Sequence, residues 1–212
     1  MDKHKLRLKF SKTGRAVYIS HLDLIRTMQR VFTRAGVQLK YSEGFNPHAK
    51  ISIILPLTVG THSECEYMDF ALVGDWDLSA LPERLNPYMP EGIKALEAYE
   101  APSKGSELRW LHITGRMAGG KEAAFYRSFF SQPEILVKRR SKKGERVDNI
   151  AEMIATAEFI DAPDGVLADL VLHAQEPTLS PDIMMTALGG DAPEYYVFTR
   201  RDAMKEDMTP FR

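Results

Sequence analysis

The sequence predicts an α+β protein built as two successive halves, each an antiparallel sheet with helices on one face. Three observations lead there. Most short segments alternate apolar and polar residues with period two, the signature of half-buried strands. Residues 24–35 instead repeat their apolar positions at helical spacing. The order strand–helix–strand–strand–helix–strand can be read twice, on either side of Ala101-Pro102-Ser103-Lys104-Gly105-Ser106. A duplicated βαββαβ order describes two ferredoxin-like halves. The expected domains are residues 1–100 and 107–201, followed by a flexible polar tail over 202–212.

From His4 to Phe10, Leu6, Leu8 and Phe10 point one way and Lys5, Arg7 and Lys9 the other, which makes a strand with a basic outer face. Residues 11–15 form a turn, and 16–19 continue or pair with the strand. Ser20 is placed as a helix N-cap with Asp23 three positions on, a capping box with Asp in place of the usual Glu or Gln. Leu24, Ile25, Met28, Val31, Phe32 and Ala35 form the apolar stripe of the helix, and Gly36 stops it. On its outer face Arg26, Arg30 and Arg34 recur every four residues, a row of one sign that repels itself and is relieved by an external anion.

Residues 37–41 read as a strand and 42–48 as a loop, in which Gly44 and Asn46-Pro47 permit special backbone angles. Strands follow at 50–55 and 64–73, a helix near 78–88, and a strand at 93–99. In the second half the expected elements are strands at 108–117 and 134–140, with a helix at 120–130 between them. A basic turn and a helix over 148–159 come next, then a strand at 165–174, a helix at 180–188 and a strand at 195–200.

With 44% hydrophobic and 27% charged residues, the chain has the composition of a soluble domain with a sizeable core. No apolar run approaches the roughly 20 residues that span a bilayer, and no signal-peptide pattern opens the chain, so no membrane contact and a cytoplasmic location are expected. The single cysteine, Cys65, excludes an internal disulfide and a cysteine-held zinc or iron–sulfur cluster. Charge is segregated. Residues 1–60 hold 11 Lys and Arg against three acids, a balance of +8, and the remainder holds 17 against 26, a balance of −9. Such clustering points to a polyanion at the N-terminal half, although attraction between the halves would also satisfy it. The run Lys138-Arg139-Arg140-Ser141-Lys142-Lys143-Gly144-Glu145-Arg146 is either a solvated turn or a second anion contact.

The candidate phosphate contacts are therefore Lys5, Arg7, Lys9, Arg26, Arg30 and Arg34. Ser20, Asp23, Tyr41, Ser42, Gly44, Phe45 and Asn46 are candidates for positioning a substrate. His21 and His48 sit at element joints that strand pairing is expected to bring to one end of the sheet. With Asp23 or Glu66 they would make a metal site, and His48 with Glu66 an acid–base pair. Hydrogen bonding that only locks the loop competes with both readings. Glu66 and Asp69 fall on opposite faces of a regular strand, so they do not form a carboxylate pair.

The strings Ser20-His21-Leu22-Asp23, Tyr41-Ser42-x-Gly44-Phe45-Asn46-Pro47-His48, Pro56-Leu57-x-x-Gly60 and Ser63-x-x-Glu66-x-x-Asp69 together resemble the radical-SAM-linked family, a domain of unknown function. The resemblance is close over residues 4–73 and loose beyond. It implies a place beside, or fused to, a cobalamin-binding radical SAM protein, and so a partner that uses S-adenosylmethionine, an iron–sulfur cluster and cobalamin. This chain lacks the Cys-x3-Cys-x2-Cys triad, and no cofactor is expected on it. Three readings stay open: an accessory protein that binds or presents tRNA or rRNA to that partner; a metal- or His-dependent RNA-processing enzyme on a ferredoxin-like scaffold; and a protein-interaction module without nucleic acid. Activity by the chain on its own is the less favoured.

Overall fold

The computed structural model describes residues 5–141 and 144–212. Two compact units are present, residues 1–105 with Arg212, and residues 106–211. The fold is mixed α+β, mostly antiparallel sheet with a few helices.

In the first unit, β1 (Leu6–Lys12) pairs antiparallel with β4 (Ile93–Glu100) on one side and with β3 (His62–Phe70) on the other, and β2 (Ile51–Ile54) pairs with β3. The strand order is β4-β1-β3-β2. Two helices, α1 (His21–Arg34) and α2 (Leu81–Leu85), share one face of it. Leu24, Met28, Val31 and Phe32 of α1 and Leu81 and Leu85 of α2 are buried in one cluster with Leu8, Phe10, Met68 and Phe70. The expected stripe and stop of α1 are found, with Gly36 at φ +70, a backbone region that glycine enters without strain. Residues 14–18 form a 3-10 turn rather than a strand. Residues 37–41 contribute only isolated bridges, Leu39 to Leu72 and Tyr41 to Ala49.

In the second unit, β5 (Trp110–Ala118) is followed by α3 (Ala123–Phe130), a hairpin of β6 (Leu136–Ser141) and β7 (Gly144–Asn149), β8 (Ile154–Ala162), β9 (Gly165–His173), α4 (Pro181–Ala187) and β10 (Tyr195–Met204). The main ladder runs β10-β5-β9-β8, and β6-β7 form a separate two-stranded sheet. The helix expected over 148–159 is thus replaced by the end of β7, a short 3-10 turn and most of β8. Its alanines favour a helix locally, but pairing with β9 from Ile154–Leu172 to Ala162–Gly165 outweighs that preference. Phe159 is the reward, buried against the rings of Tyr126 and Phe130 on α3. The strand expected at 134–140 is one arm of the hairpin instead. Lys142 and Lys143 of the basic turn lie outside the described residues, as does His4. The tail expected to be loose is held at both ends: β10 runs to Met204, and Phe211 is buried with its N–H donating to Ala203 O.

Candidate nucleic-acid interface

Strand register fixes the geography of the first unit. At one end of the sheet Lys12 lies opposite Ser63; at the other Leu6 lies opposite Phe70, which also faces Ile51. α1 begins at the first end, just after β1, and returns over its 14 residues, roughly 21 Å, to the second. The loop 42–48 follows α1 and therefore lies at the second end.

At the first end Ser20 caps α1. Its Oγ accepts from the Asp23 N–H at 3.2 Å, and its hydroxyl donates to Asp23 Oδ2 at 2.8 Å. The first arm of the expected capping box is therefore present, while the Asp23 carboxylate takes the Ser20 hydroxyl in place of the Ser20 backbone N–H that a full box would engage. Arg26 Nη1 donates to Asp23 Oδ1 at 3.1 Å. The Ser20 and Arg26 hydrogen bonds hold the Asp23 carboxyl below its ordinary pKa. Ser20 and Asp23 are accounted for as a helix cap, and the arginine row is not of one sign, because Arg26 is paired. Arg30 and Arg34 are exposed and line a groove of about 430 Å3 with Tyr88, Met89 and Pro90.

Two expected pairings do not occur. His21 and His48 are held apart by the length of α1, so they form no joint site. Glu66 lies opposite Phe10, five residues along β3 from Ala71, whose carbonyl pairs with Lys40 at the loop end. Five strand residues are roughly 17 Å, too far for Glu66 to tune His48. Glu66 is instead fully buried, and its charge opposes the lowering that burial imposes on the pKa of Lys12. Among the described residues no group of three or more His, Cys, Asp or Glu side chains is placed to hold a metal ion. His21 is half-buried, and its Nδ1 has no hydrogen-bond partner among the described residues.

The basic face of β1 also needs correction. Arg7 is 0% exposed. Its Nε donates to Asp69 Oδ1 at 2.7 Å, and its Nη2 to Asp69 Oδ2 at 3.1 Å and to Ser103 O at 3.0 Å. The segment after β4 crosses this face and removes Arg7 from solvent, so it is a structural ion pair and no phosphate contact. Lys9 is half-buried with its ammonium 5.9 Å from the Tyr67 ring centroid. Lys5, at the strand end, stays exposed.

At the second end the loop is held by its own polar atoms. Ser42 N–H donates to His48 O at 2.8 Å, His48 N–H to Ser42 Oγ at 3.1 Å, and Ser42 Oγ lies 3.0 Å from His48 Nδ1. Ser42 thereby locks the loop onto His48. Gly44 sits at φ +123, where a side chain is strained. The loop tip presents Phe45 at 111% relative exposure, with Tyr41, Asn46 and His48 also exposed. Beside it opens a groove of about 820 Å3, lined by Lys5, Lys40, His48, Lys50, Asp75 and Trp76 among others.

Of these, Lys5 and His48 follow from the sequence. Lys40 and Lys50 are visible there as charges flanking the loop, and Lys50 N–H donates to Lys40 O at 2.8 Å to bring them together. Asp75 and Trp76 carry no sequence signal. The Trp76 Nε1–H donates to Val73 O at 2.9 Å, and the Arg84 guanidinium lies 5.3 Å from its ring centroid. The end of the sheet thus combines exposed ammonium groups, an exposed ring and a concave wall, an arrangement that can neutralise phosphates and stack a flat ring.

No helix is long and apolar enough to cross a membrane among the described residues. No curated protein matches the sequence. Among solved structures that match is the acetolactate synthase small subunit of Thermotoga maritima, 8% identical over 96% of this chain and 98% of that one, with a TM-score of 0.28. The family model described as an uncharacterized protein conserved in bacteria, DUF2344, matches residues 5–181 of the 212. The chain belongs to the DUF2344 family.

Proposed function

We propose that this chain is a cytoplasmic accessory protein that binds single-stranded RNA and presents it to a radical SAM enzyme. The observation that carries the RNA part is the fully exposed Phe45 on the loop whose His48 lines the groove with Lys5, Lys40 and Lys50. A bare aromatic next to cations is what a splayed-out base and its phosphates require. Arg30 and Arg34 extend the positive surface along α1. The radical SAM part is supported by the resemblance of Ser20–Asp23 and Tyr41–His48 to that linked family. The matching strand orders of the two units support a reading as two ferredoxin-like halves, the second with β6 and β7 inserted. Enzymatic use of His21 and His48 together has lost its geometric basis.

The test is fluorescence anisotropy of a labelled 12-nucleotide RNA with the full chain between 50 and 200 mM KCl. Reversing Lys5, Lys50 and Arg34 to Glu removes three phosphate contacts and should lower the salt slope by about 2, at roughly 0.7 per contact on a single strand. Affinity at 50 mM is expected to fall tenfold or more. Absence of binding by the parent at 50 mM, or an unchanged slope in the variant, overturns the proposal.

A further inference from the structure

The large groove is not uniformly positive, and that mixture says more about its ligand. Lys5, Lys40 and Lys50 stand with three carboxylates, Asp69, Asp75 and Glu100. Asp69 is already bound in bidentate fashion by Arg7. Asp75 differs: it is exposed, lines the groove, and has no hydrogen bond or ion pair with any described residue. An ionised carboxylate only accepts hydrogen bonds. A ligand carrying phosphate alone would be repelled by Asp75, and a hydrocarbon would leave both charge types unmatched. What satisfies the wall is a molecule that brings an anion to Lys5 and Lys50, hydroxyl donors to Asp75 and a flat apolar ring to Trp76.

On these grounds, and resting on the RNA reading above, we propose that the groove is a single-ribonucleotide subsite in which Asp75 accepts from a ribose 2′-hydroxyl while Lys5 and Lys50 take the adjoining phosphate. A volume of about 820 Å3 is ample for one nucleotide, since ligand pockets run from about 300 to 1,000 Å3. Recognition of a ribose hydroxyl by an acid is established chemistry for nucleotide sites, and the 2′-hydroxyl is the group by which a protein tells RNA from DNA. A site built to hold a hydroxyl disfavours the analogue that lacks it. Asp75 is the determinant of sugar selectivity. The base stands against the indole fixed by Val73 and Arg84.

The experiment compares a 12-nucleotide RNA with the DNA of the same sequence, using the parent chain and Asp75→Ala, with circular dichroism confirming that both proteins fold. The parent should bind RNA about tenfold more tightly than DNA. Asp75→Ala should bring RNA affinity down to the DNA level while leaving DNA binding within twofold. In a Trp110→Phe background, where Trp76 is the one remaining tryptophan, RNA should quench the emission. Equal binding of RNA and DNA by the parent overturns the ribose subsite and leaves nucleic-acid binding in place. A preference for RNA that survives Asp75→Ala, or emission from Trp76 that RNA does not change, also overturns it. If neither strand binds at 50 mM KCl, the RNA reading itself fails.

Discussion

Replacing Arg7 with Ala is expected to destabilise the first unit by about 3–5 kcal/mol, the usual loss when one partner of a buried ion pair is removed. The side chain of Asp69 is only 13% exposed, so its carboxylate would lose both guanidinium bonds without gaining comparable solvent. Ser103 O would lose its donor at the same time. The double replacement Arg7→Met/Asp69→Leu should recover most of the loss, because exchanging a whole buried pair for apolar groups of similar volume is close to neutral. Urea denaturation followed by far-UV circular dichroism reads both. Arg7→Ala should unfold at much lower urea, and RNA affinity measured on the folded protein should stay near the parent value. A parent-like midpoint would show that the pair contributes little. Lost RNA affinity in a fully folded variant would instead put Arg7 at the ligand.

Gly165→Ala should be nearly as damaging, for a steric reason. Gly165 opens β9 at φ +134, and a Cβ there would stand 2.0 Å from Met117 O and 3.1 Å from Ala118 Cα. Those atoms are backbone of β5, and β9 is paired on both sides, with β5 and β8. No side chain can turn away to make room, so β5 and β9 must separate locally. Left-handed strain and overpacking together cost roughly 2–6 kcal/mol. Gly44→Ala is the internal control. Its φ of +123 is similar, but nothing lies within 4 Å of the added carbon. Only the conformational part, about 1–3 kcal/mol, should appear. Thermal melts of the two variants distinguish them, and equal shifts would mean that the β5–β9 contact yields without cost.

These two positions show where sequence reading reaches and where it stops. α1 was legible because its signals are local: a cap at Ser20, a stripe at helical spacing and a glycine stop. The alternation of β1 was legible too, but periodicity treats Lys5, Arg7 and Lys9 alike. What separates them is Ser103, 96 residues further along, which covers Arg7. β8 was misread for the same reason in reverse, since its alanines speak locally for a helix and only β9 makes it a strand. In the candidate site the cations and Phe45 were legible as residue types. The company of Lys5 with Asp75 and Trp76 was not, because it is created by strand register. The separation of His21 from His48 depends likewise on which end of the sheet each joint occupies.

The length of α1 has an energetic corollary. Ser20 and His48 stand roughly 20 Å apart at opposite ends of a packed helix and share no hydrogen-bond partner among the described residues. Sites so separated combine independently, usually to within about 0.3–0.5 kcal/mol. A double-mutant cycle on Ser20→Ala and His48→Ala should therefore close with no coupling in stability. The two strings that look like one motif along the chain would then be two devices in energy, open to separate selection and separate engineering.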